Sequence, residues 1–355
     1  MLKNKKLIIA LSIIPQYFIV KTLANFPEFI ETYYSNGLYQ FTSKALRYAF
    51  GWLPFSIGDL LYTFAGIYII RWFILNRKRI IKDTKAWLID VLSAVSVVYF
   101  AFYVFWGLNY YRLPLHKSLN IDNTYNTEEL VKVTEQLIEK SNRLQLKIGK
   151  IDSIKVKIPY SKKELLSKSS NGYAELAKTY PSLAHSPSSL KLSLYSLPLT
   201  YMGYSGYLNP FTNEAQVDGL IPLHQYPTTA SHEKAHQIGY AAENEANFIG
   251  CLAAIHNDDV YFQYSGYIFA LKYCLNEVYK RDKEIHKSLV LKINKGILLN
   301  YRESYEFGLA YENPLEPLFK FFYGNFLKAN NQAKGIESYS YVVALLVNYF
   351  ENREL

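Results

Sequence analysis

The sequence predicts an α-helical membrane anchor followed by an α+β, mostly helical domain with a small sheet. Three observations carry that reading. Long apolar stretches fill the first third of the chain, apolar residues recur at helical spacing over most of the remainder, and one segment between Leu190 and Leu220 alternates and is punctuated by glycine.

The first apolar stretch follows Lys3, Lys5 and Lys6 and runs from Leu7 to about Ala24, near the ~20 residues that span a bilayer. A signal peptide would leave a small-residue cleavage site, and none is clear here, so an uncleaved anchor is expected. The second stretch runs from Leu53 to about Leu75 and the third from Trp87 to Leu108, with Trp52, Trp72, Trp87 and Trp106 at their ends, where aromatic rings meet lipid headgroups. The competing reading is a buried hairpin of core helices in a soluble protein.

The net charge of +9 would point to nucleic acid if it lay on one soluble module. Instead Arg77, Lys78, Arg79, Lys82 and Lys85 sit between two apolar stretches, where a membrane protein keeps its cytoplasmic charge. No nucleic-acid partner is expected. The Asn25–Gly51 loop, by contrast, has two acids against two bases. Residues 1–110 are therefore expected to form a three-span anchor in the lipid bilayer, with residues 111–355 on the extracytoplasmic side.

Arg112-Leu-Pro-Leu-His116 reads as a juxtamembrane linker. Thr127-Glu-Glu opens an amphipathic helix to about Leu146, and Ser161 with Glu164 is a capping-box signal for another, to about Lys178. Beyond a small sheet between Leu190 and Leu220, helices are expected over Tyr261–Tyr279, Asp282–Tyr301, Leu315–Ala329 and Ser338–Tyr349. Cys251 and Cys274 are too few for a thiolate zinc site and read as core thiols.

The chemistry is concentrated in Ser231-His232-Glu233-Lys234-Ala235-His236, which contains HExxH. That spacing puts His232 and His236 one turn apart on one helix face, so both can grip one Zn2+, while Glu233 is placed to act as general base. The helix is expected to open at Thr228 or Thr229 and to break at Gly239. A third ligand should come soon after. Glu243 is preferred and Glu245 is the alternative. Asn247, four residues after Glu243, would steady a ligand from one turn away. His116, His185, His224, His256 and His286 lack ligand-spaced partners. For the stabilising hydroxyl, Tyr204, Tyr207 and Tyr240 lie nearest in sequence.

The string HEKAHQIGYAAENEANF resembles the signature of domain-of-unknown-function family 3810, bacterial membrane proteins with an HExxH motif. The resemblance extends to GYLNPFTNEAQV at Gly206–Val217, to FLKANNQAKGIESYSYVV at Phe326–Val343 and to the three spans. It implies a zinc metallopeptidase of the bacterial inner (cytoplasmic) membrane, with its catalytic domain on the periplasmic side. More distantly, Glu243-x-x-Ala246-Asn247 is similar to the ExxAD element of gluzincin membrane peptidases, whose Glu is the third ligand. Here Asn247 replaces the Asp and the gap from His236 is shorter. That gap approaches metzincin spacing, although Ala242 stands where their third His would be.

The expected activity is hydrolysis of a peptide or protein substrate by a zincin-like domain. Two other readings share the ligands: a membrane-anchored binding or signalling protein with a structural or vestigial zinc site, and a zinc amidase acting on cell-wall peptides. Substrate is expected to lie along an exposed strand, Asn213–Val217, with a main-chain donor at Ala215, close backbone approach at Gly203 and Gly206, and Tyr207 beside them; the alternative is an ordinary hairpin that only supports the metal helix.

Overall fold

The computed structural model describes residues 2–332, 339–351 and 353. Helices α1 (Leu2–Leu11) and α2 (Ile13–Leu23) open the chain, followed by a π-helical stretch at Ile30–Leu38 and α3 (Tyr39–Phe50). A hairpin of α4 (Ile57–Asn76) and α5 (Thr84–Phe105) comes next. Lys5–Leu23, α4 and α5 are each long and apolar enough to cross a membrane. Only 11%, 11% and 6% of their residues are buried inside the protein, which a hairpin of core helices would not allow. Ser56 starts α4 by accepting from the Asp59 amide at 2.9 Å, and Asp83 starts α5 by accepting from the Ala86 amide at 3.3 Å.

The segment expected as the Asn25–Gly51 loop is helical instead. Its Tyr39, Ser43 and Arg47 are buried, so composition near the spans concealed a packed element. Arg112 is not in a loose linker either. Its guanidinium is buried, pairs with Glu31 at 2.6 Å and lies 4.0 Å from the Tyr240 ring centroid.

Two helices, α6 (Thr127–Gly149) and α7 (Lys162–Thr179), then begin at reciprocal capping boxes, Asn126 with Glu129 and Ser161 with Glu164. They pack with α8 (Tyr226–Gln237), α9 (Glu243–Ile255), α10 (Val260–Arg281) and the last helix of the chain, Tyr339–Phe350. The core they share includes Leu130, Leu137, Leu165, Leu176, Phe248 and Phe262. Each such side chain contributes about 1.5–3 kcal/mol by leaving water. Cys251 and Cys274 are free and buried in that core.

The stretch expected as one helix over Asp282–Tyr301 is two, α11 (Lys283–Val290) and α12 (Lys295–Ala310). Asn294 makes the break by bonding to α6: its amide reaches Asn142 Oδ1 and its side chain reaches Gln145 Oε1, both at 2.9 Å. Local periodicity cannot register such a bond. Helices α13 (Glu316–Ala329) and α14 (Tyr339–Phe350) complete the chain, and Ser338 of the expected final helix lies outside the described residues.

The sheet has three strands, β1 (Leu190–Leu192), β2 (Gly206–Leu208) and β3 (Ala215–Val217), in the order β1-β3-β2. β1 runs parallel to β3, with Leu190 opposite Ala215, and β2 runs antiparallel, with Gly206 opposite Val217. This corrects the expectation that Asn213–Val217 is an exposed strand. Ala215 lies on the central strand, fully buried, and its amide already donates to Ser189 O at 2.9 Å. The sheet sits on the start of α4: Glu214 accepts from the Ile57 amide at 3.1 Å and the Gly58 amide at 2.5 Å.

Candidate functional site

Helix α8 starts at Tyr226 with Pro227 in its first turn, earlier than the threonines suggested, because Pro supplies helical φ without a needed donor. It carries His232, Glu233 and His236. The rings of His232 and His236 lie 4.6 Å apart and perpendicular. Gly239, at φ 95°, turns the chain back, so that α9 begins at Glu243. The two helices approach closely where Gly250 faces His232: a Cβ there would lie 2.6 Å from the His232 amide nitrogen.

This turn brings the Glu243 carboxylate onto both imidazoles, 3.3 Å from His232 Nε2 and 3.8 Å from His236 Nε2. Ligand atoms of the three residues all lie within 4.8 Å of one another, the one such grouping among the described residues. His236 Nδ1 is 2.7 Å from Tyr240 O, which assigns its proton to that nitrogen and leaves Nε2 a free lone pair. Tyr39 braces the end of the same helix by donating to Gln237 O at 3.0 Å, and Trp106 packs edge-on against His236.

Burial lowers the His236 pKa to about 4, so the ring is neutral, as a cation ligand must be. For Glu243 burial opposes ionisation, but the two imidazoles outweigh it and hold the carboxyl down to about 2. At His232 burial is likewise outweighed, chiefly by Glu243, and the pKa is raised; the Asn247 side chain adds to this from beside the ring. Burial pushes Glu233 up to about 8, with His232 pulling down and Glu243 adding to the rise. Glu233 Oε2 has no hydrogen-bond partner among the described residues, and its Oε1 lies where a Cβ on Gly206 would come within 2.6 Å. A side chain at position 206 would displace that carboxylate.

The site opens into a cavity of about 1220 Å³ whose lining includes His232, Glu233, His236, Glu243, Asn247 and Tyr323. Gly206 and Tyr207 also line it, whereas Ala215 does not. Tyr207 donates to Asp59 Oδ1 and is thereby engaged with α4. Glu245, the alternative ligand, turns away and accepts from the Leu115 amide at 2.6 Å. Tyr240 lies under Arg112, outside the cavity.

The hydroxyl that does reach the cluster belongs to Tyr323 on α13, which donates to Glu243 Oε1 at 2.5 Å. Sequence reasoning missed it, since nothing local separates it from the other tyrosines among 33. Tyr204 supports it, their ring centroids 5.3 Å apart.

Neither a curated protein nor a solved structure matches the chain. With two imidazoles and a carboxylate converging beside an unpartnered glutamate, in a chain carrying three apolar spans, the sequence string that supplies them also falls within a family match. Residues 34–347 match the family described as Protein of unknown function (DUF3810), and the chain belongs to that family.

Proposed function

We propose that the protein is a membrane-anchored zinc-dependent peptidase with a zincin-like catalytic centre. The observation that carries this reading is the convergence of His232 Nε2, His236 Nε2 and the Glu243 carboxylate, with the unpartnered Glu233 carboxyl lining the same cavity.

The donor set fits a borderline-soft dication: one neutral imidazole with its far nitrogen fixed, a second imidazole, and an ionised carboxylate. His232, His236 and Glu243 would hold Zn2+, which supplies carbonyl polarisation and a lowered water pKa. Glu233 takes a proton from the attacking water as its oxygen bonds to the carbonyl carbon. It then returns that proton to the amide nitrogen as the C–N bond breaks, giving a carboxylic acid and an amine. Its Oε2, without a hydrogen-bond partner among the described residues, is free to hold the proton between these steps. β2 is an edge strand, and Gly206–Leu208 borders the cavity, so the substrate main chain would lie along it in place of the central β3.

The test is metal analysis and peptide hydrolysis by the full chain in detergent. About one zinc per chain is expected, as for a site with three protein ligands. His232→Ala, His236→Ala and Glu243→Ala should each lose it, and Glu245→Ala should keep it. Glu233→Gln should keep zinc and lose activity by about 10²–10⁴-fold. Zinc retained in the double His variant would overturn the site. Zinc with no hydrolysis, and Glu233→Gln without consequence, would favour a structural site.

A further inference from the structure

The cavity does not end at the site. Its lining continues down the facing sides of α4 and α5, through Tyr62 and Ile69 on one and Val98, Val95 and Ala94 on the other. Ile69 is twelve residues along from Ile57, and Ala94 eleven back from Phe105. At 1.5 Å per residue the slot descends about 17 Å, close to the roughly 15 Å of one leaflet. It is open sideways, with Ile69 62% and Val98 55% exposed on helices that lie in the apolar spans. Further along, towards the other end of the hairpin, Trp72 and Trp87 meet with ring centroids 6.1 Å apart. At its upper end Tyr62 stacks on Tyr207, next in sequence to Gly206, against which the Glu233 carboxylate lies.

This shape selects among apolar occupants. A spanning helix would need a passage through both leaflets, and the lining reaches the depth of only one. One leaflet's depth of helix, about 10 Å across, would also take about 1200 Å³, which is the whole cavity and leaves no room at the site. A flexible acyl chain needs neither.

We propose that the substrate is a lipid-anchored peptide, its acyl chain lying in the slot between α4 and α5 and its adjacent peptide bond reaching the cluster of His232, His236 and Glu243. The proposal rests on the peptidase reading for the reaction, which is the same hydrolysis, with the acyl chain staying on one product. The slot itself can be tested without turnover.

The full chain in nanodiscs would be given quenched-fluorescent peptides with and without an amino-terminal palmitoyl group. In parallel, the Glu233→Gln protein would be photolabelled with diazirine-bearing palmitic acid and its adducts mapped. The palmitoyl peptides should show a KM at least ten-fold lower, and adducts should concentrate on residues 62–69 and 94–102. Val98→Trp should cut that labelling at least five-fold, whereas Val97→Trp, outside the slot lining, should not. Palmitoyl peptide should displace the probe.

Equal turnover of both peptides, with adducts spread over all spans, would overturn the proposal. So would displacement by phospholipid or by a peptide bearing a spanning helix but not by palmitoyl peptide. Slot-specific labelling displaced by palmitoyl peptide, with neither peptide cleaved, would uphold the acyl slot and remove the peptidase reading alone.

Discussion

Tyr323 donates its hydroxyl to Glu243 Oε1 at 2.5 Å, joining α13 to the first turn of α9 across 80 residues of chain. The bond occupies one carboxylate oxygen and leaves Oε2 nearer His232. Tyr323→Phe removes the hydroxyl and keeps the ring that packs on Tyr204. Zinc affinity should fall about 10–100-fold, the usual cost of losing a group that orients a ligand. Chelator competition measures it. Unchanged affinity with a reduced kcat would sink the orienting role and make Tyr323 a partner of the substrate's oxygen.

The positive charge lies at one end of the spans. Lys6 and Arg79 both reach Asp90, at 2.6 and 2.9 Å, so the amino-terminal lysines and the α4–α5 turn share a side, while the sheet and the site adjoin the opposite end of that hairpin. The positive-inside rule would place the basic end in the cytoplasm. Alkaline phosphatase fused after Leu355 should be active, and fused within the 77–85 turn inactive. The reverse pattern at normal expression would place the site in the cytoplasm.

Glu214 ties the sheet to the second span. Its carboxylate meets the first amides of α4 and also Lys191, at 2.5 Å, with both side chains buried. Glu214→Gln should cost about 3–5 kcal/mol, because it leaves the lysine charge buried without its counter-charge. The pair Glu214→Gln with Lys191→Met should recover much of that loss. Thermal unfolding in detergent measures both, and additive losses would show that the two do not act as a pair.

These relationships mark where sequence reading stops. HExxH was legible because two imidazoles four residues apart share a face on any helix, and the capping box at Ser161 is equally local. Glu243 was legible as a carboxylate just after the histidines and four residues before Asn247. Tyr39 and Tyr323 were not, since they reach the site from about 200 residues before it and 80 residues after it. Nor was the order of the strands. Alternation identifies a strand, but only pairing with β1 on one side and β2 on the other makes β3 central and unavailable to substrate.

Glu245 supplies a pH dependence separable from the cluster of His232, His236 and Glu243. Burial pushes its carboxyl from 4.5 up to about 7, with the Leu115 amide and Arg112 pulling down and Glu31 adding to the rise. The folded protein therefore keeps a proton that the unfolded chain releases between these values. Stability from this group is fully present below pH 4.5, and it falls as pH rises through about 7. The whole change is roughly 3 kcal/mol for a shift of this size. Glu245→Gln preserves an acceptor for the Leu115 amide and has no charge to bury. Its metal-free form should be more stable than the parent at pH 8 and nearly equal at pH 5. Glu233, pushed up to about 8, titrates with the same sign but is present in both proteins, so the difference isolates position 245. Thermal unfolding at the two pH values decides it: parallel shifts would mean that Glu245 is already ionised at pH 5.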